Sequence, residues 1–551
     1  MEARRKEIRI PSDEREIEKV ADVFVEQLAA WGVRFVYGIP GGSILAFAEA
    51  IEHSDKVDLI LVRHESTAAF MASAYGKLTG KLGVCFAITG AGSTNLITGM
   101  ADATYDQSPV LAITGQVRQE AVGTNAFQEI DQYGVFSAVT VYNEMLQSPE
   151  QLREVLVRAM RQALLRRGVA HISIPRDLQS EGYIGAPKQI DDLVPGPGPA
   201  PADGIARAAE QIRAAGRPVI LAGKAAWEAR DEVSELSRVL HAPIATTPPA
   251  KGLVDEHGEH SLGVLGRLGL TCSTDVFREA DIALLVGADI VEQRLVPKVP
   301  TIQINPNPLD FAEDLPISTA LEGDIALTVR ELIGYLPDIG ATDWEKRAAE
   351  VRAECISALD PEVRSYLGRV HPRAVAEALS DVVAADAVIG VDIGDVTYWY
   401  MQYFKATRQR TLISSHLASM GFALPAALAA QLEYPDRQCI AICGDGGFAM
   451  SMADFTTAVK YDLPITVVVF NNNAYLRVTG EALEAGLPAR VHSLVNPDFA
   501  EYATGCGGLG IRVEEVDDLH DGLSEALSSD RPALVEILTD PAVIAVPTLH
   551  S

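Results

Sequence analysis

Apolar positions along the chain fall into short, β-branched runs separated by longer amphipathic stretches. In the first part the runs are FVYGI, DLILV, GVCFAIT, VLAIT and HISIP, with helical patterns between them such as STAAFMASAYGKLTG (Ser66 to Gly80). The middle part offers PVILAG, APIATT, IALLVG and TIQIN, and the last part AVIGVDIG, CIAICGDG, ITVVVFN and ALVEIL. Near-continuous apolar runs that alternate with helices predict parallel strands covered on both faces. Two stretches punctuate the pattern. VPGPGPAPADG (Val194 to Gly204) reads as a linker, and LPDIGATDWEKRAAEVRAE (Leu336 to Glu354) as a weaker break. The expectation is α/β architecture: three consecutive doubly wound parallel-sheet domains at about 1–190, 200–335 and 360–551. The first and last have similar strand content without a strict sequence repeat.

Length and composition sharpen this picture. A chain of 551 residues is too long for one core and suits three domains of ordinary size. The formal net charge of −29 disfavours nucleic acid as a partner. Six cysteines without any C-x-x-C pair fit a reducing, cytoplasmic setting. The N-terminus, MEARRKEIRIPSDER, lacks the apolar segment of a signal peptide, and no apolar run approaches the ~20 residues of a membrane helix.

Ligands of open parallel sheets bind beyond the carboxyl ends of the strands. That rule points to four strand exits: GIPGGS, TGAGSTN, GDGG and FNNNAY. In ICGDGGFAMSMADF, Asp445 stands between Gly444 and Gly446, with Gly447 following, where a strand gives way to a helix. Glycines let the backbone approach a ligand, and a helix start offers free N–H groups to an anion. The carboxylate itself would repel a phosphate. A Mg²⁺ ion resolves the conflict, because it prefers oxygen ligands and is shared between protein groups and phosphates. Gly-flanked acidic turns are common as plain structure, so GDGG alone is weak. No Gly-rich loop carries the Lys-Ser/Thr of a P-loop, which argues against an ATPase.

The pattern Gly444-Asp445-Gly446, twenty-four residues, then Asn471-Asn472 is far more specific. It resembles the fingerprint of thiamine diphosphate enzymes, and the chain as a whole resembles their acetolactate synthase and pyruvate oxidase group. The resemblance implies a pyrimidine-binding domain, a central Rossmann-like domain and a diphosphate-binding domain, in that order. It implies Mg²⁺ on Asp445, the Asn472 side chain and the Ala474 carbonyl. It also matches Glu65, in LILVRHESTAAF, to the glutamate that hydrogen-bonds N1′ of the aminopyrimidine and promotes its imino tautomer. A buried carboxyl with a raised pKa suits such a relay; the plain reading of Glu65 is a carboxylate favoured by a helix start. GTNAFQEID resembles the active-site loop, with Phe127 and Gln128 near the reacting carbonyl. SHLASMGFALPAA resembles the segment whose methionine, Met420, props the cofactor into a bent shape, although such a methionine is usually core. NAYLRVTGE resembles the pyruvate oxidase version of the following helix, with Val478 over the cofactor and Glu481 three residues on.

Departures from the family bear on the reaction. The active-site loop GQVRQEAVGTNAFQEID has no histidine, unlike the His-His pair of the pyruvate decarboxylase branch. PPAKGLVDEHGEHSLGVLGRLG, with Lys251 and Arg267, resembles the flavin-binding region of FAD-containing relatives. The connection from Gly287 to Thr301 is shorter than theirs, and GRLG is shared with flavin-free synthases, so FAD stays open. Arg477 replaces a usually apolar residue; it either holds a second substrate anion or is a surface arginine. The chain ends at VIAVPTLHS, where membrane-linked pyruvate oxidases continue into an amphipathic tail, so no membrane partner is expected. The leading expectation is decarboxylation of a small 2-oxo acid with transfer of the two-carbon unit to an acceptor. Pyruvate oxidase and a non-catalytic relative are the alternatives. The resemblance further implies a homodimer or homotetramer, and leaves an accessory regulatory subunit open.

Overall fold

The computed structural model describes residues 18–545 apart from 191–192, 195, 290–294, 338–339, 341, 360–367 and 489–491. The chain divides into two compact units: residues 1–76 with 81–194, and residues 77–80 with 195–551.

The first unit is built on a six-stranded parallel sheet. Its strands are β1 (Phe35–Gly38), β2 (Asp58–Leu61), β3 (Gly83–Ala87), β4 (Val110–Gln116), β5 (Tyr142–Met145) and β6 (Val169–Pro175). Their spatial order is β2-β1-β3-β4-β6-β5. Every residue of β3, β4 and β6 is buried, as strands covered by helices on both faces require.

The second unit holds two more parallel sheets. The central one contains β7 (Pro218–Ala222), β8 (Ile244–Thr246), β9 (Ser261–Val264), β10 (Ile282–Val286), β11 (Thr301–Asn305) and β12 (Ile317–Glu322). Their order, β9-β8-β7-β10-β11-β12, places the switch point between β7 and β10. Along β7, Ile220 and Ala222 enter one apolar cluster while Val219 and Leu221 enter another, so the sheet has a core on each face. The last sheet contains β13 (Val388–Val391), β14 (Arg410–Ile413), β15 (Cys439–Gly444), β16 (Thr466–Asn471), β17 (Leu509–Val513) and β18 (Ala533–Leu538). Its order is β14-β13-β15-β16-β18-β17. Three six-stranded parallel sheets with flanking helices make this a doubly wound α/β chain.

The weaker break expected at 336–354 contains regular structure. Residues Asp343–Ser357 form a helix capped by Thr342, whose hydroxyl accepts the Glu345 N–H. Its charged surface conceals an apolar stripe of Trp344, Ala348 and Val351, spaced four and three residues apart and buried against the central domain. The Trp344 indole N–H donates to the Pro218 carbonyl at 2.8 Å.

All six cysteines are unpaired. Among the described residues no helix is long and apolar enough to cross a membrane.

Candidate active site

In the last domain, β15 and β16 are adjacent and parallel, with Gly444 opposite Phe470. The crossover between them therefore returns the Asn471 turn to the side of Asp445. Asp445 opens the short helix Asp445–Ser451 and is almost fully buried. Its Oδ1 accepts the Gly446 N–H at 2.9 Å, and its Oδ2 accepts from the Asn496 amide at 2.8 Å. Burial pushes its carboxyl up to about 6, against the opposing pull of these hydrogen bonds.

The asparagine run is a pair of overlapping side-chain turns. Asn471 Oδ1 accepts the Asn473 N–H at 3.1 Å, and Asn472 Oδ1 accepts the Ala474 N–H at 3.0 Å. Asn473 adopts φ +56°, the left-handed region that asparagine tolerates best after glycine. Asn471 is fastened from behind: its amide donates to the buried Glu536 at 2.6 Å. This leaves Asn472 and Ala474, not Asn471, on the cleft.

That cleft encloses about 560 Å³, counting space open to solvent. Met420, Gly444, Asp445, Gly446, Gly447, Asn472, Ala474, Arg477 and Val478 all line it. Glu481 is not among its lining residues. Two of the glycines are required sterically. A Cβ on Gly446 would stand 2.4 Å from the Tyr475 ring, and one on Gly447 would stand 2.0 Å from Asp392 Oδ2.

Two carboxyls beside the cleft carry no motif in the sequence. Asp392, just past β13, is fully buried. Its Oδ1 accepts N–H groups from Ile393, Gly421 and Phe422, which ties down the turn that follows Met420. Burial pushes it up to about 7. Asp395 receives the Trp399 indole N–H at 2.6 Å and the Ala545 N–H at 3.0 Å, and burial pushes it up to about 6. Their only sequence signal was the acidic strand exit VDIGD. Asn496 had none.

Arg477 turns its guanidinium to partners within the chain. It donates to the Ala545 carbonyl at 3.1 Å, to Glu481 at 3.4 Å and to Glu484.

In the first unit, Glu65 begins the helix Glu65–Thr79 just beyond β2. Asn95, in the TGAGSTN exit of β3, donates to Glu65 Oε2 at 2.9 Å. Gly92 keeps that approach open, since a Cβ there would stand 3.0 Å from Glu65 Oε1. The loop after β4 carries Phe127, 90% exposed, and Gln128 at φ +68°. The Gln128 carbonyl accepts from Thr89 at 3.2 Å. Glu129 organises the loop by accepting the N–H groups of Gly123 and, at 3.0 Å, Ala126.

Three thiamine pyrophosphate enzyme domains match the chain in sequence: the N-terminal TPP binding domain at residues 18–135, the central domain at 205–332 and the C-terminal TPP binding domain at 392–537. The chain belongs to the thiamine pyrophosphate enzyme family. Its relatives match along nearly their whole length. A "Putative thiamine pyrophosphate-containing protein YdaP" of Bacillus subtilis is 38% identical over 93% of this chain and 90% of its own. A "Probable acetolactate synthase large subunit" of Methanocaldococcus jannaschii is 32% identical over 95% of this chain and 92% of its own. A pyruvate oxidase of Lactiplantibacillus plantarum is 32% identical over 93% of this chain and 87% of its own. The protein is thus a thiamine diphosphate-dependent enzyme. The C-terminal cleft fits that cofactor's metal-bound diphosphate. Asp445, Asn472 and Ala474 line this cleft together, and carboxylate, amide and backbone carbonyl oxygens are the ligand types Mg²⁺ prefers. Burial disfavours the charged form of Asp445, and a bound cation would favour it.

Proposed function

We propose that this enzyme decarboxylates a 2-oxo acid, pyruvate in the first instance, and transfers the two-carbon unit to an acceptor, as an acetolactate synthase does. The reading rests on Asp445, Asn472 and Ala474 lining one cleft together with Met420 and Val478. Thiamine diphosphate supplies an electron sink for the pair released with CO₂. Asp445, Asn472 and Ala474 would hold Mg²⁺, with Gly444, Gly446 and Gly447 giving the diphosphate access to the backbone. Met420 and Val478 would support the cofactor's middle. Glu65 would hold a proton towards the ring nitrogen of the aminopyrimidine, its Oε2 steadied by Asn95. Phe127 and Gln128 would border the substrate carbonyl. Arg477 and Glu481 contribute to substrate binding only if a substrate carboxylate displaces Glu484 from the guanidinium.

A pyruvate oxidase is the second reading, favoured by the relative of that name in L. plantarum. It requires FAD in the central domain. Lys251, in the stretch that resembles a flavin-binding region, is fully buried. It donates to both Glu256 oxygens at 2.7 Å and to the Met401 carbonyl at 3.2 Å. An ammonium has three hydrogens, so none remains for a flavin phosphate. Residues 290–294 of the short connection from Gly287 to Thr301 lie outside the described residues. The Lys251 geometry favours the synthase.

The further terms of the proposal follow the family: domains at 1–190, 200–335 and 360–551, a cytoplasmic homodimer or homotetramer, and an accessory subunit as an added option. The test is a product screen of purified protein with pyruvate and Mg²⁺, with and without a second oxo acid or an electron acceptor. Acetolactate or a related hydroxy-oxo acid from a colourless protein supports the synthase. A yellow protein that forms product only with an electron acceptor overturns it in favour of the oxidase.

A further inference from the structure

A second constellation of ligating groups lies in the central domain, away from the thiamine diphosphate cleft. His241 closes the helix Arg230–Leu240 in the left-handed conformation, φ +45°. His260 immediately precedes the edge strand β9. Glu345 lies in the first turn of the helix Asp343–Ser357. Three segments far apart in sequence thus bring two imidazoles and a carboxylate together, with one ligand atom of each within 4.8 Å of the others.

Hydrogen-bond bookkeeping shows what this cluster lacks. The Ser237 hydroxyl has one hydrogen and donates it to the Ala242 carbonyl at 2.8 Å. Its contact with His260 Nδ1 at 3.3 Å therefore requires Nδ1 to be the donor. In neutral His260 the proton is then on Nδ1, and Nε2 carries a lone pair. That lone pair faces Glu345 Oε1 at 2.7 Å, one acceptor against another. His241 Nδ1 approaches the same carboxylate at 3.1 and 3.0 Å. A positive charge is needed between them, either a proton or a metal ion. A single divalent metal ion between the three ligand atoms would satisfy both imidazole lone pairs and the carboxylate at once.

We propose that His241, His260 and Glu345 form a binding site for a first-row divalent cation of the zinc type, which clips the helix Asp343–Ser357 onto the central domain. Two imidazole nitrogens and one carboxylate oxygen are ordinary zinc ligands, with bonds of about 2.0–2.2 Å and tetrahedral geometry. Such bonds separate neighbouring donors by roughly 3.3 Å, so the 2.7–3.1 Å contacts need to open by about 0.2–0.6 Å. The Ser237 contact supplies the outer hydrogen bond that orients a ligating histidine. Side-chain exposures of 21%, 16% and 13% leave an entry path and room for a water as fourth ligand. The nitrogen ligands distinguish the site from the all-oxygen set at Asp445, which suits Mg²⁺.

The test uses full-length enzyme stripped with a chelator and reloaded with Zn²⁺ while excess Mg²⁺ occupies the oxygen site. About one Zn²⁺ per chain should survive gel filtration, in wild type and in Asp445→Asn alike. His260→Gln and Glu345→Gln, which keep hydrogen-bonding shape, should each weaken Zn²⁺ binding by about 100-fold or more. The X-ray absorption edge of the wild-type zinc complex, which needs no variant to fold, should report two imidazoles in a nitrogen and oxygen shell. Retention of only trace zinc by wild type would overturn the proposal. So would undiminished binding in folded His260→Gln, or a thiolate or all-oxygen shell.

Discussion

The N-terminal and C-terminal sheets share one strand order, β2-β1-β3-β4-β6-β5 in the first and β14-β13-β15-β16-β18-β17 in the last. Equivalent strand exits carry different chemistry. The third strand of the first sheet opens into TGAGSTN, which presents Asn95 to Glu65; the third strand of the last opens into Asp445. The fourth leads to the Phe127–Gln128 loop in one and to the Asn471–Ala474 turn in the other. The burial of charge differs as well. The first sheet offers a half-buried carboxylate with an amide partner, whereas the last buries Asp392, Asp395 and Asp445, all pushed upwards by desolvation. A parallel sheet supplies the platform, and under the proposed function the residues at its exits would decide whether that platform addresses a ring nitrogen or a metal-bound anion.

Breaking the metal half of this comparison should have the largest effect. Asp445→Ala removes the charged member of the donor set and should abolish retention of thiamine diphosphate, measured as cofactor content after desalting in Mg²⁺. Full retention would remove Asp445 from the site. Next in size is Glu65→Gln, which should lower turnover by about 10²–10⁴-fold while the melting temperature and cofactor content stay near wild type. Its direct measure is C2 hydrogen exchange of the bound cofactor, and a wild-type rate would end the proposed role. Mixing the two variants sharpens the comparison. If one chain's Glu65 and its partner's Asp445 serve the same cofactor, reassembled heterodimers regain one intact site and substantial activity. Proven heterodimers without activity would mean that each chain completes its own site.

Smaller effects concern how the last sheet supports its exits. Gly447→Ala drives a Cβ against Asp392 Oδ2 and should cost about 1–3 kcal/mol in stability, read from denaturant unfolding. Smallest is a pH effect in metal-free protein. Asp392 is pushed up to about 7 when folded, whereas an unfolded aspartate titrates near ~3.9. The folded chain thus holds a proton that the unfolded chain has released. Stability should fall as pH rises from about 4 to about 7. Asp392→Asn, uncharged throughout, should flatten that part of the profile of melting temperature against pH. An unchanged slope would mean that Asp392 does not titrate there.

The strands that were legible in the sequence and those that were not differ systematically. The runs read as strands include every interior strand of all three sheets and the edge strand β2. In these six-stranded sheets the five that escaped, β5, β9, β12, β14 and β17, are all edge strands; the two-residue strands Glu18–Lys19 and Gly182–Tyr183, which pair antiparallel, escaped too. β5, β12 and β17 face solvent in part and tolerate polar or charged residues, as in YNEM and ISTALE. β9 and β14 are largely or wholly buried but only four residues long, and each includes a polar residue, Ser261 in the one and Arg410 and Thr411 in the other. Interior strands, covered on both faces, must be apolar almost throughout. The helix Asp343–Ser357 was obscured for a related reason: three buried residues hold it, and the rest of its surface is polar.

The sequence alone determined the fold class and the thiamine diphosphate fingerprint, because both depend on local order. Strand, glycine turn, helix and strand follow one another within some thirty residues of chain, and a right-handed crossover brings the ends of that unit together. Tertiary structure decided whatever depends on segments meeting from afar. It set Asn496 on Asp445 and Glu536 behind Asn471, and it used the donors of Lys251 and Arg477 within the chain. It also gathered His241, His260 and Glu345, none of which carries a local signal. The physical reason is the same in each case: a side chain's protonation and free valences are set by what packs around it, and packing is not written in sequence spacing.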